Sequence, residues 1–576
     1  MSTLATPDPP PTAAAVFLRT LAELGVDAAF GVPGGTISSM YMALEQVPQI
    51  RHVAMRHECS AMFAAVGYAK ITGRPAIVLT TSGPGITNTL TGLATALYEG
   101  VPVILLGGEV SSSALGRGAI QDGSAAGLSV QSILRPVCRW TGCLSDASVA
   151  TATAAQAWTA AMATSVAAAP GPVMVRVPLD IGGRAGRRLH MSMSDSRPVM
   201  SRAMRPSDEA CREVARLLTE AERPLLVAGN GARDAHHELV ELAERAEIPS
   251  LTTGHGKGVF PESHPLYVGV MGIGQHPSVP EHLAEPPDVT LIVGSRLNDL
   301  ATNGWSLPLQ GSIATIQIDR DPTLIGRNAP VTHGLVGDAQ ATVRAILDLV
   351  PSLVLRRRRR IVPRRSWPVA DERPEHAAIK PQSLLAECQR QLPGARWVSD
   401  IGEHLAHAIH TLRVEAPDRF FTMLGYGSMG SGVCSSMGIK LAEPDQVVVC
   451  ICGDGGFATY LADLMTCVEN RLGVVFVVFN DGRWNMVEHG FEAVYGRRPV
   501  RLIDTLADLG AIARAMGARA VRVDSLSDLQ ALDLRALAGQ PTPLVIDARI
   551  DADEALTRDT RSASIKHFHG GLDDAR

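Results

Sequence analysis

The stretch VVCICGDGGFATYLADLMTCVENRLGVVFVVFNDGRWN, residues 448–485, holds two apolar runs that each end in an acid. The first runs into Gly453-Asp454-Gly455-Gly456 and the second into Asp481. Glycines around Asp454 let backbone approach a ligand closely. In open parallel sheets ligands sit beyond the carboxyl ends of the strands, and helix starts there favour anions such as phosphate. Two hard oxygen donors beside such a helix start suit Mg2+. An isolated Gly-Asp-Gly is an ordinary turn, so it is the strand–helix–strand setting that points to a metal. A second stretch, VAMRHECSAMFAAVGYAKITGRPAIVLTTSGPGITN (53–88), puts Glu58 in the first turn of a helix where Met62, Ala65, Val66 and Ala69 recur at helical spacing. Taken alone, an acid there is a favourable charge at the positive end of a helix.

The elements that must position these acids alternate strand and helix in three blocks. Strands are expected at 76–80, 101–108 and 172–178, then at 224–229, 289–295 and 314–319, then at 446–454, 474–481 and 543–548. Short, uniformly apolar strands between helices predict an α/β protein with parallel sheets buried on both faces. A chain of 576 residues exceeds what one core supports, which agrees with several domains. A net charge of −5 disfavours nucleic acid as a partner. Nine cysteines without a CxxC pair, and a start without a charged or apolar leader, lead us to expect a reduced, cytoplasmic protein with no membrane span. The arginine run within 356–376 reads as a solvated linker, with phosphate or acidic lipid as the alternative ligand.

With GVPGG (31–35), AIQDG (119–123), SDIGEH (399–404) and GYGSMGSG (425–432) added to the two stretches above, the chain resembles, nearly end to end, the thiamine-diphosphate (ThDP) enzymes of acetolactate synthase-like, large-subunit type. The resemblance implies three doubly wound parallel-sheet domains of the ThDP-dependent decarboxylase and acetolactate synthase type. These are a pyrimidine-binding domain (12–185), a central domain (205–350) and a diphosphate-binding domain (379–555), with a linker (351–378) and a tail (556–576). It implies that Glu58 is the acid that drives the cofactor's aminopyrimidine to its imino form, and that Gln121 reaches the reaction centre. Pro33, Gly34, Gly35, Gly402, Glu403, His404, Gly427, Met429, Gly453, Gly455 and Gly456 would line the cofactor. Asp454, Asp481 and the main-chain oxygen of Arg483 would hold Mg2+. Ile120, Trp484, Val487, Glu488 and Gly490 would line the substrate pocket. Arg483 and His489 are polar groups of that pocket or ordinary surface and interface contacts.

Two departures stand out. Asp481 replaces the family's asparagine, and Glu403 replaces a glutamine at the diphosphate contact, where an acid must be bridged or turned away. In this family the pyrimidine block of one subunit faces the diphosphate block of another, so a homodimer or homotetramer is implied. The implied reaction is decarboxylation of a 2-oxo acid, with pyruvate the expected donor, and capture of the fragment by a carbonyl or acyl acceptor. A non-ligating decarboxylase and a silent assembly subunit are the alternatives. The segments 269–275 and 294–300 resemble FAD-contacting segments loosely, which leaves FAD an additional cofactor to test. Where the branched-chain enzymes carry an acceptor-clamping Arg, a Met and a Trp, this chain has Leu300, Ile273 and Gly490, so a bulkier or uncharged acceptor is expected.

Overall fold

Every strand of the three six-stranded sheets runs parallel to its neighbours in the computed structural model, which describes residues 10–162, 169–189, 204–351, 361–367, 378–498 and 505–554. In spatial order the first sheet is Arg51–Ala54, Ala28–Gly31, Ala76–Thr80, Val103–Glu109, Pro172–Pro178, Trp140–Cys143. The second is His333–Val336, Ala314–Asp319, Val289–Val293, Pro224–Ala228, Ser250–Thr253, Tyr267–Met271. The third is Phe420–Thr422, Arg396–Ser399, Val448–Gly453, Val474–Asn480, Leu544–Arg549, Arg519–Val523.

 The first and third sheets share one strand order, counted along their own chain segments, as 2-1-3-4-6-5. The second is ordered 6-5-4-1-2-3. Each therefore has a point where successive connections leave in opposite directions, and a crevice opens there beyond the carboxyl ends of the strands. The expected strands are present, and their ends shift by at most two residues. The run at 446–454 forms Val448–Gly453, so Asp454 begins the following helix, Asp454–Thr459, and does not end the strand.

The described residues pack as two compact units, and these do not follow chain order. One takes its residues from Met1–Ser201, Gly425–Pro444 and Tyr460–Leu472, and the other from Arg202–Leu424, Asp445–Thr459 and Gly473–Arg576. The first unit holds the first sheet, whose central strands Ala76–Thr80 and Val103–Glu109 are buried throughout. The second holds the other two sheets, whose apolar residues join in one large core. The arginine run and the C-terminal tail lie outside the described residues.

Within the first unit the helix Glu58–Thr72 is buried from Glu58 to Ala69, on all sides and not on one face as an amphipathic reading expects. The reason is a second helix, Ser431–Ala442, laid directly against it. Small residues let the two backbones meet. A Cβ on Gly67 would lie 2.1 Å from the Ser435 carbonyl oxygen, and one on Gly438 would lie 1.9 Å from that of Ala64. Neither backbone has room to yield in a close-packed interior. Gly438→Val should therefore lower stability by about 1–3 kcal/mol or more through overpacking. Gly394→Ala, where an added Cβ meets nothing within 4 Å, should leave the thermal melt followed by circular dichroism unchanged.

Candidate active site

In the first unit the loops at the switch point follow the strands Ala28–Gly31 and Ala76–Thr80. Pro33 and Gly34 lie in the first of these loops, and Gly35 opens the short turn Gly35–Ile37. The Thr36 and Thr81 hydroxyls meet at 2.9 Å, and Ser82 donates its backbone N–H to Thr36 Oγ1 at 2.8 Å, so the two loops hold each other. Glu58 is buried at the first position of its helix, and His57 caps that helix by accepting from the Cys59 N–H. Its Oε2 accepts from Asn88 Nδ2 at 2.9 Å. Asn88 therefore fixes the orientation of the acid, a role that the motif TTSGPGITN contained but did not disclose. Tyr41 is close enough to Glu58 that the carboxylate, after burial, helps push its phenol upward.

Gln121 adopts a left-handed conformation at φ +63°, and its Oε1 accepts from Ser82 Oγ at 3.3 Å. The loop behind it is held by Glu109, whose Oε1 accepts from the N–H groups of Val110 and Gly123 at 3.0 and 3.1 Å. Glu109 is buried, and nothing in the amino-acid sequence singled it out. Ile120 is 86% exposed. Gly427 sits at φ +77°, a conformation that suits glycine and turns its peptide where a side chain would strain. Met429 is partly exposed beside it.

In the second unit the third sheet's switch point lies between the strands Arg396–Ser399 and Val448–Gly453. Gly402, Glu403 and His404 follow the first strand, and Asp454, Gly455 and Gly456 follow Gly453 at the end of the second. The helix Glu403–Thr411 is anchored at its other end. Lys257 Nζ donates to the Ile409 carbonyl at 2.7 Å, and Arg364 donates to that of His410 at 3.2 Å. Cations at a helix C-terminus satisfy carbonyls that the helix itself leaves unpaired. Lys257 is also paired with the buried Glu262.

Asp454 Oδ1 accepts from the Gly455 N–H at 2.7 Å and its Oδ2 from that of Gly482 at 2.8 Å. Asp481 Oδ1 accepts from the Arg483 N–H at 3.1 Å and its Oδ2 from Asn485 Nδ2 at 2.9 Å. Burial raises the Asp454 carboxyl above its ordinary range. The Asp481 carboxyl is pushed up to about 7, first by burial and then by the Asp454 charge, with a smaller push from Glu403. Two half-buried carboxylates that repel each other, made of hard oxygens, fit a divalent cation, which would lift that cost. With the Arg483 carbonyl they are the residues that would hold Mg2+.

His404 is buried, and its Nε2 has no hydrogen-bond partner among the described residues. Burial depresses its imidazole to about 3, so the ring is neutral, and its one N–H is spent on the Asp400 backbone, which leaves Nε2 as an acceptor. Glu403 is turned away from the expected diphosphate contact, because both its oxygens face His489 Nδ1 at 2.8–2.9 Å. The expected pocket residues on the helix Asn485–Tyr495 and its cap divide between two faces. Glu488 and Gly490 are buried, whereas Trp484 and Val487 are exposed.

Comparison with known proteins agrees with this geometry. Residues 11–128 match the family described as thiamine pyrophosphate enzyme, N-terminal TPP binding domain. Residues 211–346 match its central domain and 400–548 its C-terminal TPP binding domain. An acetolactate synthase of Arthrospira platensis is 32% identical over 562 residues, covering 94% of this chain and 95% of its own. The acetolactate synthase isozyme 3 large subunit of Escherichia coli (strain K12) is 29% identical, covering 94% and 95%. Among solved structures, benzoylformate decarboxylase from Polynucleobacter necessarius shares the fold, with a TM-score of 0.80 at 22% identity over 94% of this chain and 99% of that one.

The raised Asp481 carboxyl has a measurable consequence. A group whose pKa is higher in the fold than in the unfolded chain contributes stability that is complete below the unfolded value, about 4, and lost as pH rises through the folded value. Ligand-free protein should lose melting temperature as pH rises from the ordinary carboxylate range through about 7. Asp481→Asn should lose less over the same window, as read by thermal-shift titration. Equal pH slopes in the two proteins would contradict the assigned cause.

Proposed function

We propose that this chain, which belongs to the thiamine pyrophosphate enzymes, decarboxylates a 2-oxo acid and joins the resulting fragment to a second carbonyl compound. The observation that carries this reading is Glu58, buried at the first sheet's switch point and held at Oε2 by Asn88. An acid fixed in this way is aimed, as a group serving a ring nitrogen must be, whereas a charge that only complements a helix dipole need not be. The match to acetolactate synthases along nearly the whole chain supports ligation as the outcome.

When bound, ThDP supplies the nucleophilic carbon and the electron sink for loss of CO2. The protein's part is to bind, orient and move protons. Glu58 would hold its proton at the pyrimidine nitrogen, and the Gly427 carbonyl would orient the exocyclic amine. Met429 would set the angle between the rings, and Gln121 would reach the reacting atoms. Asp454, Asp481 and the Arg483 carbonyl would hold the cation, with His404 beside the diphosphate. A homodimer or homotetramer is part of the proposal, with each site completed by a neighbouring subunit.

For the acceptor we propose a bulkier or uncharged carbonyl compound. Ile273 and Leu300 are adjacent, with the Ile273 N–H donating to the Leu300 carbonyl at 2.8 Å. Leucine cannot pair with a carboxylate, and the missing charge-assisted contact costs an acidic acceptor roughly 1.5–3 kcal/mol. The decarboxylase reading keeps one observation in its favour, a buried Glu488 whose Oε1 has no partner among the described residues. It requires free aldehyde as the sole product.

Glu58→Gln should keep ThDP binding and lose turnover by about 10²–10⁴-fold. Near wild-type turnover would remove Glu58 from this role. With labelled pyruvate, larger aldehydes or acyl acceptors should outcompete 2-oxobutyrate, as read by mass spectrometry of the products. 2-Aceto-2-hydroxybutyrate as the main product would overturn the acceptor proposal. Flavin is decided by the same preparation: yellow protein holds FAD, and colourless protein does not.

A further inference from the structure

The second unit contains a carboxylate–imidazole pair that none of the roles above uses. Glu403 presents both oxygens to His489 Nδ1, with both side chains almost wholly buried. The other ring nitrogen, Nε2, is buried and has no hydrogen-bond partner among the described residues. A carboxylate on Nδ1 keeps the proton on that nitrogen and leaves Nε2 as the atom that takes or gives one.

The pair stands where two parts of the candidate site meet. Glu403 follows Gly402 on the segment expected to meet the diphosphate. His489 is on the helix Asn485–Tyr495, which begins just after Asp481 and Arg483. Glu403 is also close enough to Asp481 to act on its carboxyl. The other titratable groups near the pair are His407, on Glu403's own helix, and Glu554 and Asp553, beyond the strand Leu544–Arg549. A pair serving only to neutralise Glu403 would need one ring nitrogen. It would not need the second buried without a partner, because such an atom costs about 1–3 kcal/mol.

We propose that His489, oriented by Glu403, is a further acid–base group of this site and carries the proton that ligation moves between the two substrates. This rests on the reading under Proposed function. In ligation the donor carbon's electron pair forms the bond to the acceptor's carbonyl carbon. The carbonyl π pair moves to oxygen. The donor-derived hydroxyl gives its proton to Nε2 as its own carbonyl forms, and Nε2 passes that proton to the new oxygen, while release of the product would return the donor carbon's other bonding pair to the cofactor that held it. The imidazole ends as it began, so the step consumes no oxidant or reductant. Glu403 is the positioning residue, and the exchange of glutamine for glutamate at this place is matched by the histidine that faces it.

The test uses full-length protein with ThDP and Mg2+, and compares wild type with His489→Asn, His489→Gln and Glu403→Gln. The His489 variants should bind ThDP within about threefold of wild type. They should form ligated product about 10²–10⁴-fold more slowly and lose one limb of the pH–rate profile. Glu403→Gln should keep that limb, displaced in pH, with a smaller loss. His489 variants with wild-type ligation rate and pH profile would overturn the proposal, as would a loss of ThDP affinity equal to the loss of rate. A second readout needs no turnover. Histidine-selective ¹⁵N spectra should show the His489 proton on Nδ1 in the wild type and a changed resonance in Glu403→Gln, and a neutral ring protonated on Nε2 alone would overturn it. If wild type releases no CO2 from any 2-oxo acid, the proposed function fails, and these spectra still judge the pair.

Discussion

Two half-buried carboxylates just past the ends of neighbouring strands repel each other, and the loops that follow those strands hold them against that cost. Asp454 and Asp481 are not placed there by packing, since the strands before them would be equally buried with apolar ends. Backbone N–H groups of Gly455, Gly482 and Arg483, with the Asn485 amide, meet their oxygens and offset part of the desolvation. The remaining deficit of positive charge is what a divalent cation would supply. Local stability is given up where like charges are held together in this way.

The same logic accounts for the neighbouring helix Glu403–Thr411. Its N-terminal end carries Glu403 and the neutral His404, and its C-terminal end is fastened by Lys257 and Arg364. Lys257 is itself buried against Glu262, an arrangement that is costly to desolvate and strongly destabilising to break. Lys257 lies in the middle sheet's part of the chain and Arg364 beyond it, so residues far from Glu403 and His404 in sequence fix the helix that carries them.

In the first unit the controlling constraint is steric. The helix that presents Glu58 is pressed against Ser431–Ala442 through Gly67 and Gly438, and it is therefore buried on every side. A helix held so closely has little freedom to tilt. The orientation of Glu58 is then completed by Asn88. Precision at the acid thus depends on two glycines and an amide that carry no chemistry themselves.

Much of this was legible in the amino-acid sequence. Uniform apolar runs between helices can only be buried parallel strands, and acids and glycines at their ends mark the crevice. This is why Asp454 and Asp481 stood out from residue type and spacing, whereas Glu58, an ordinary helix-start acid taken alone, stood out only through the resemblance of its stretch to the ThDP enzymes. The partners that hold those residues were not legible. Asn88, Glu109 and Asn485 look like ordinary loop or strand-end residues, and only the fold brings them to Glu58, the Gln121 loop and Asp481. The sequence also marked Glu403 as an acid that must be bridged or turned away, without saying which. That choice depends on a side chain eighty-six positions distant in the chain. Strand ends are set by local patterning, whereas the direction of a buried carboxylate is set by whatever polar group the tertiary structure carries within reach of it.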